Sequence, residues 1–155
     1  MKNISATRRS MMTRSMALAA AGAAGLSAAA APVSAAPEKA SAPFRALFQV
    51  SDADPKKWSL TLGNVKNAQE GLGAANVSIE IVCYGPGVNM LKADSEVAGR
   101  VQETMQAGVG IFACQNTMRG MHLQPTDMVD KIGFVPSGVV EVIKRQAEGW
   151  AYVRS

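Results

Sequence analysis

From residue 44 onward, short apolar runs alternate with longer segments whose apolar residues recur every three or four positions. Residues 44–50 are rich in apolar and aromatic side chains and predict a first strand. Asp54-Pro55 follows, a capping carboxylate with proline at the first helical position, where its missing N–H costs nothing. Trp58, Leu62, Val65 and Leu72 then keep helical spacing, and Gly71 and Gly73 mark the stop. Residues 77–84 predict a second strand that ends in Gly85-Pro86-Gly87, a backbone able to turn sharply. Asp94 or Ser95 caps a second helix whose Val97, Val101 and Met105 share a face, closed by Gly108. Residues 109–114 predict a third strand and residues 115–121 a short helical piece. Thr126-Asp127 opens another helical turn, and residues 132–135 form a short fourth strand. Ser137 caps a last helix through Glu148, Gly149 ends it, and residues 150–154 predict a fifth strand. Strands alternating with helices argue for an α/β layered domain with a mostly parallel sheet of about five strands. Ligands of such sheets sit beyond the carboxyl ends of the strands. Chemistry is therefore expected in residues 51–55, 84–91 and 114–123.

Charge changes the picture at the amino terminus. The chain of 155 residues holds 16 Lys+Arg against 12 Asp+Glu. Four of those cations, Lys2, Arg8, Arg9 and Arg14, lie in residues 1–35, which contain no acidic residue. The remainder is formally neutral, so a basic face for nucleic acid is excluded as the leading function class. Residues 1–35 have the three-part build of an export signal: a basic start, an uncharged Ala/Gly-rich stretch and small residues at the end. Thr7-Arg8-Arg9-Ser10-Met11-Met12 fits the twin-arginine pattern, with Thr13 where a lysine is usual. Val33-Ser34-Ala35 places cleavage after Ala35. The expected mature protein is periplasmic, crosses already folded and leaves no membrane anchor, because the apolar stretch is interrupted by Ser27, Pro32 and Ser34. Residues 36–43 read as a Pro/Ala/Ser tether and residues 44–155 as one domain.

Two cysteines enter the mature chain, and in an oxidising compartment a disulfide is the default. If the first strand lies between the strands that carry them, as is usual in doubly wound sheets, Cys83 and Cys114 stand about 9–10 Å apart. That is too far for a bond. Cys114 is the better chemical candidate. It falls where a parallel strand ends and a helix begins, so the N–H dipoles of the following turn favour a thiolate, and Arg119 adds positive charge nearby. The opposing reading is a small buried hydrophobe at a strand end. Cys83, in the run Ile79-Glu-Ile-Val-Cys83, reads as core. His122 is the only histidine and reads as a solvated loop residue. On an unbroken helix Cys114, Met118 and Met121 share a face, and with His122 they form a soft-ligand set suited to Cu(I). The bland counterpart is core methionine packing. Gly85-Pro86-Gly87 lacks the spacing of a phosphate or dinucleotide loop, Asp52 and Asp54 read as turn and cap residues, and no zinc signature exists. No cofactor is expected.

Four blocks in order, Phe48-Gln-Val-Ser-Asp-Ala-Asp-Pro55, Tyr84-Gly-Pro-Gly-Val88, Cys114-Gln-Asn-Thr-Met-Arg-Gly120 and Val135-Pro-Ser-Gly-Val-Val140, resemble the DsrE/DsrF-like family of sulfur-relay proteins. The resemblance spans residues 44–154 and implies a flavodoxin-like three-layer α/β domain that assembles into trimers or hexamers. It implies that Cys114 accepts a persulfide sulfur and passes it to a partner protein, with Asn116, Thr117, Arg119 and Gly120 lining its pocket. The relay members are cytoplasmic, whereas this chain reads as exported. Two function classes follow: an exported persulfide or thiol carrier acting through Cys114, and a non-catalytic oligomeric module that binds a small ligand or Cu(I).

Overall fold

The computed structural model describes residues 42–155; the export signal, cleavage point after Ala35 and most of the tether expected from the sequence fall on residues 1–41 and lie outside the described residues. The first strand, β1, is Phe44–Val50, and its last four residues are buried on both faces of the sheet. Such two-sided burial is what a parallel strand covered by helices requires. Helix α1 (Pro55–Leu72) starts where the pattern places it: the Asp54 carboxylate accepts the Lys56 N–H at 2.9 Å, and Pro55 opens the first turn. Trp58, Thr61, Leu62 and Val65 form its buried stripe, and Gly73, at φ +83°, ends it. Strand β2 (Val77–Cys83) leads into a 3-10 helix, Gly85–Leu91, whose Val88, Met90 and Leu91 are buried. The sequence suggested a bare turn there; burial of three apolar side chains makes it part of the core instead.

Helix α2 (Ala98–Gln106) begins later than expected, after Val97, because the Ser95 carbonyl takes the Ala98 N–H in a preceding turn. Strand β3 (Gly110–Cys114) passes directly into α3 (Gln115–Gly120). A 3-10 turn (Pro125–Asp127), β4 (Gly133–Val135), α4 (Gly138–Ala147) and β5 (Ala151–Arg154) complete the chain.

The five strands are all parallel, in the order β4-β3-β2-β1-β5. The steps β1→β2→β3 move one way along the sheet, and the return β4→β5 crosses back over three strands. Right-handed crossovers therefore put α1 and α2 on one face and α4 on the other. The larger core cluster lies under α1 and α2 and includes Phe48, Trp58, Leu62, Ile79, Ile81, Cys83, Ile111 and Met118. The smaller cluster lies under α4: Leu47, Val82, Val135 and Val142, with Tyr84, Phe112 and Trp150 against them.

This order corrects one expectation. β1 does not separate the two cysteine strands; β2 and β3 are neighbours, with Cys83 opposite Ala113. The cysteines are nonetheless free. Their separation comes from alternation: one residue out of register on adjacent strands, Cys83 faces the α1–α2 layer and Cys114 faces the α4 layer.

Candidate functional site

Cys114 is the last residue of β3 and the residue from which α3 starts. Three pieces of chain meet there. α3 supplies the N–H groups of Asn116 and Thr117 and the Thr117 hydroxyl; the first residue of α4, Gly138, supplies another N–H. The β4–α4 turn is fastened to α3 because Asn116 N–H donates to the Pro136 carbonyl at 3.2 Å. The thiol is thus held between the starts of two helices, whose first N–H groups have no partner within their own helix and carry partial positive charge, the Asn116 N–H being shared with the Pro136 carbonyl. Burial, which leaves Cys114 only 4% exposed, pushes its pKa up. The Thr117 hydroxyl and the N–H groups of Gly138, Thr117 and Asn116 outweigh burial, and the net pKa lies below the ordinary thiol value.

The Thr117 hydroxyl has a second partner that fixes its direction. Gly85 N–H donates to Thr117 Oγ1 at 2.9 Å, which occupies an oxygen lone pair and leaves the hydroxyl proton for Sγ. Gly85 has φ +53°, a conformation glycine adopts without strain, and Gly87 stands so close to β1 that a Cβ would lie 2.4 Å from the Val50 carbonyl oxygen. The Gly-Pro-Gly segment is therefore the piece that carries the Gly85 N–H to the site.

Tyr84 and Gly138 stand in segments that the sequence reading singles out, but it assigns neither a role at the site. Extending the β2–β3 register by one residue places Tyr84 beside Cys114 on the α4 face, and its N–H continues the ladder to the Val50 carbonyl at 3.0 Å. A Cβ on Gly138 would come 2.8 Å from both Cβ and Cδ1 of Tyr84, so the start of α4 packs directly on that ring. Two signals were available: period-two alternation through Val82 and Tyr84, and a glycine directly after a Ser cap. Burial and the neighbouring Tyr152 push the Tyr84 phenol above its ordinary range, while Arg154 pulls the other way. The Tyr152 hydroxyl donates to the buried Gln49 at 2.5 Å, and Arg154 pairs with Asp52 at 3.4 Å. Asp52 also meets Lys57 at 3.2 Å, and the Lys57 and Arg154 cations hold its carboxyl below the usual range.

The other residues expected at the site are placed as follows. Arg119 is exposed and turns its guanidinium to the Asn116 side-chain carbonyl. Gly120 ends α3 in open space, away from the thiol. Because α3 stops at Gly120, the face that would join Cys114, Met118 and Met121 is not carried through. Met118 is buried in the core under α1 and α2, while Met121 and His122 are exposed beyond the helix. Met118, Arg119 and His122 instead line a groove of about 360 Å³ with Leu123 and Phe134. Among the described residues, no three His, Cys, Asp or Glu side chains are grouped to hold a metal ion.

Comparison with solved structures finds the same architecture. The protein of unknown function MTH1491 from Methanobacterium thermoautotrophicum is 38% identical, with a TM-score of 0.70, over 72% of this chain and 99% of that one. Protein BT1422 of Bacteroides thetaiotaomicron, also of unknown function, shares the fold at 16% identity and a TM-score of 0.59, over 72% of this chain and 94% of its own. The YchN protein of E. coli shares it at 12% identity and a TM-score of 0.60, over 72% and 99%. No curated protein matches. The DsrE/DsrF-like family model matches residues 45–154, which covers all five strands and the Cys114 site, and the chain belongs to that family.

Proposed function

We propose that this protein is exported and carries sulfane sulfur on Cys114, as a homo-oligomer in the periplasm. The observation that carries the reading is a nearly enclosed thiol whose pKa is lowered against the effect of burial by donors from two helix starts and one hydroxyl. A thiol used only as packing has no need of four donors. The thiolate is the nucleophilic form and the one that accepts sulfur.

The step balances without an oxidant. The Cys114 thiolate attacks the terminal sulfur of a donor persulfide R–S–SH, forming the Sγ–S bond. The donor S–S bond breaks, R–S⁻ leaves with the electron pair, and the proton stays on the transferred sulfur. Delivery to an acceptor thiolate repeats the exchange with Cys114 as the leaving group, and the donors that stabilise the thiolate make it a good one.

Export is supported by the basic start, Ala/Gly-rich stretch and Val33-Ser34-Ala35 end of the amino terminus. Assembly is supported by α4, which leaves Val139, Val140 and Ile143 exposed in one stripe, Ile143 to 60%. Mass spectrometry of the purified protein after exposure to a small persulfide donor tests the carrier. One added sulfur atom at Cys114, absent in Cys114→Ala and never at Cys83, is the expected result. An intact protein that takes up no sulfur overturns the reading.

A further inference from the structure

The donors around Cys114 favour its thiolate, but 4% exposure leaves only a narrow opening to it. Something in the enclosure must move for a donor wider than that opening to reach Sγ. Its row in the sheet is closed on one side by Val135, which is pinned in the α4-side core, and on the other by Tyr84. Above it stand the backbone starts of α3 and α4, which supply the donors and cannot leave without raising the pKa. Tyr84 differs from these. It is half-buried, stands at the last position of the β2 ladder and is followed by Gly85, Pro86 and Gly87. Among the described residues its hydroxyl makes no hydrogen bond, whereas the neighbouring Tyr152 hydroxyl is anchored on Gln49 at 2.5 Å. Its ring lies against Gly138, the α4 residue whose N–H faces the thiol.

Resting on the carrier reading, we infer that the Tyr84 side chain is the movable cover of Cys114 and sets which donors reach it. Rotation about its χ1 opens a passage one ring wide between Gly138 and the sheet, while the backbone donors stay in place. Such a passage admits a terminal sulfur on a slender, unbranched arm and excludes reagents that carry bulk close to the reacting atom. Tyr84 is then a specificity-determining residue that need not bond to the reacting sulfur. The absence of a side chain at Gly138 is what gives the ring its resting place.

The test is the ratio of two alkylation rates at Cys114, one with iodoacetamide and one with a bulky aryl maleimide, followed by peptide mass spectrometry. The ratio cancels any change in the thiolate fraction, which is read separately by ultraviolet titration. In the parent protein the ratio is expected to favour the small reagent strongly when compared with the ratio a free thiol such as glutathione gives for the same two reagents. Tyr84→Ala is expected to speed the bulky reagent at least tenfold relative to the small one, and Tyr84→Phe, which keeps the ring, to leave the ratio at the parent value. Tyr84→Leu preserves most of the core volume and is expected to follow Tyr84→Ala, which keeps the test open if the alanine variant does not fold. A ratio unchanged in the Leu variant overturns the cover, whatever sulfur adduct forms. A changed ratio in a protein that accepts no sulfur supports the cover and overturns the carrier.

Discussion

Thr117→Val isolates one of the four donors at the thiol with little change in shape. The substitution removes the hydroxyl that accepts Gly85 N–H at 2.9 Å and donates to Sγ. A hydrogen bond to a charged acceptor contributes about 1.5–3 kcal/mol. Each 1.36 kcal/mol is a factor of about ten in the ionisation equilibrium, so the thiolate fraction at neutral pH is expected to fall about tenfold or more. Reactivity falls less than that. A more basic thiolate is more nucleophilic, with a Brønsted slope of about 0.4–0.5, which returns roughly half of the loss on a logarithmic scale. The expected alkylation rate at pH 7 is therefore about three- to twentyfold below the parent. At a pH high enough to ionise both thiols, the variant overtakes the parent because only the nucleophilicity difference remains. The Gly85 N–H left without an acceptor costs about 1–3 kcal/mol, visible as a lower urea midpoint. Iodoacetamide kinetics across pH 6 to 11 read both limbs of the profile. Superimposable profiles would show that the hydroxyl does nothing for the sulfur and would leave only the N–H groups to stabilise the Cys114 thiolate.

Other expectations follow from the same structure. Gly138→Ala forces a Cβ to 2.8 Å from the Tyr84 ring, so it is expected to cost about 1–3 kcal/mol in thermal or urea unfolding and to slow Cys114 alkylation as the α4 start shifts. Arg145 meets Glu80 at 2.8 Å, Glu141 at 3.1 Å and Glu148 at 3.0 Å, and lies over the Trp150 ring at 5.2 Å. Arg145→Met is expected to cost about 2 kcal/mol at pH 7, discounted from the fully buried case because Glu148 is half exposed. Burial already pushes the Glu80 carboxyl up against the pull of Arg145, so the loss should shrink as pH falls toward the carboxylate range and Glu80 takes its proton. Cys114 has the opposite sign: its folded pKa is depressed, so the parent should gain stability over Cys114→Ser as pH rises from the folded value toward the ordinary thiol pKa of about 8.5, and lose that gain below. If the proposed homo-oligomer forms through α4, Ile143→Glu should convert it to monomers in size-exclusion chromatography; an unchanged elution volume removes α4 from the proposed interface.

The element boundaries were legible where local chemistry decides them. Asp54-Pro55, Gly73, Gly108 and Gly149 are start and stop signals that act within one turn, and each stands at or beside the end of an observed element. Strand order was not legible, because five apolar runs joined by helices pair equally well in several orders, and only the packing of all layers together selects β4-β3-β2-β1-β5. That order carries the consequences for chemistry. It makes the cysteine strands neighbours, brings Tyr84 beside Cys114 and sends α4 to the opposite face, so that its first N–H reaches the thiol. Cys114 could be read from its place where a strand meets a helix, whereas Asn116 and Thr117 joined it only through the family resemblance. Gly85, Tyr84 and Gly138 lie more than twenty residues away in sequence, and no spacing rule connects them to Cys114. Arg119 illustrates the converse. Nearness in sequence suggested support for the thiol, but one turn along α3 the side chain leaves the sheet and bonds Asn116 instead.

The two cysteines give the site its internal control. Both are buried, and both stand within one residue of the end of neighbouring parallel strands. Burial alone pushes the Cys83 thiol far above its ordinary value, since apolar side chains of the α1–α2 core enclose it and offer no donor. Cys114 pays the same kind of desolvation penalty and is still shifted down. The difference is one position along the strand. Cys83 is followed by Tyr84, still extended and with its N–H bonded to Val50, so the 3-10 helix starts one residue later, and its Gly85 N–H is taken by Thr117. Cys114 is followed at once by a helical turn, whose first N–H groups have no partner within the helix. A reactive cysteine in this fold therefore needs an abrupt strand-to-helix turn more than a nearby cation, and a second helix start aimed at the same point doubles the effect. Moving the cysteine by the double variant Cys114→Ser, Ala113→Cys would keep the compartment, the neighbouring strands and the net charge, but would turn the thiol to the Cys83 side of the sheet. Such a thiol should titrate and react as Cys83 does, and a low-pKa thiol at position 113 would show that proximity to the helix start suffices without the α4 donor.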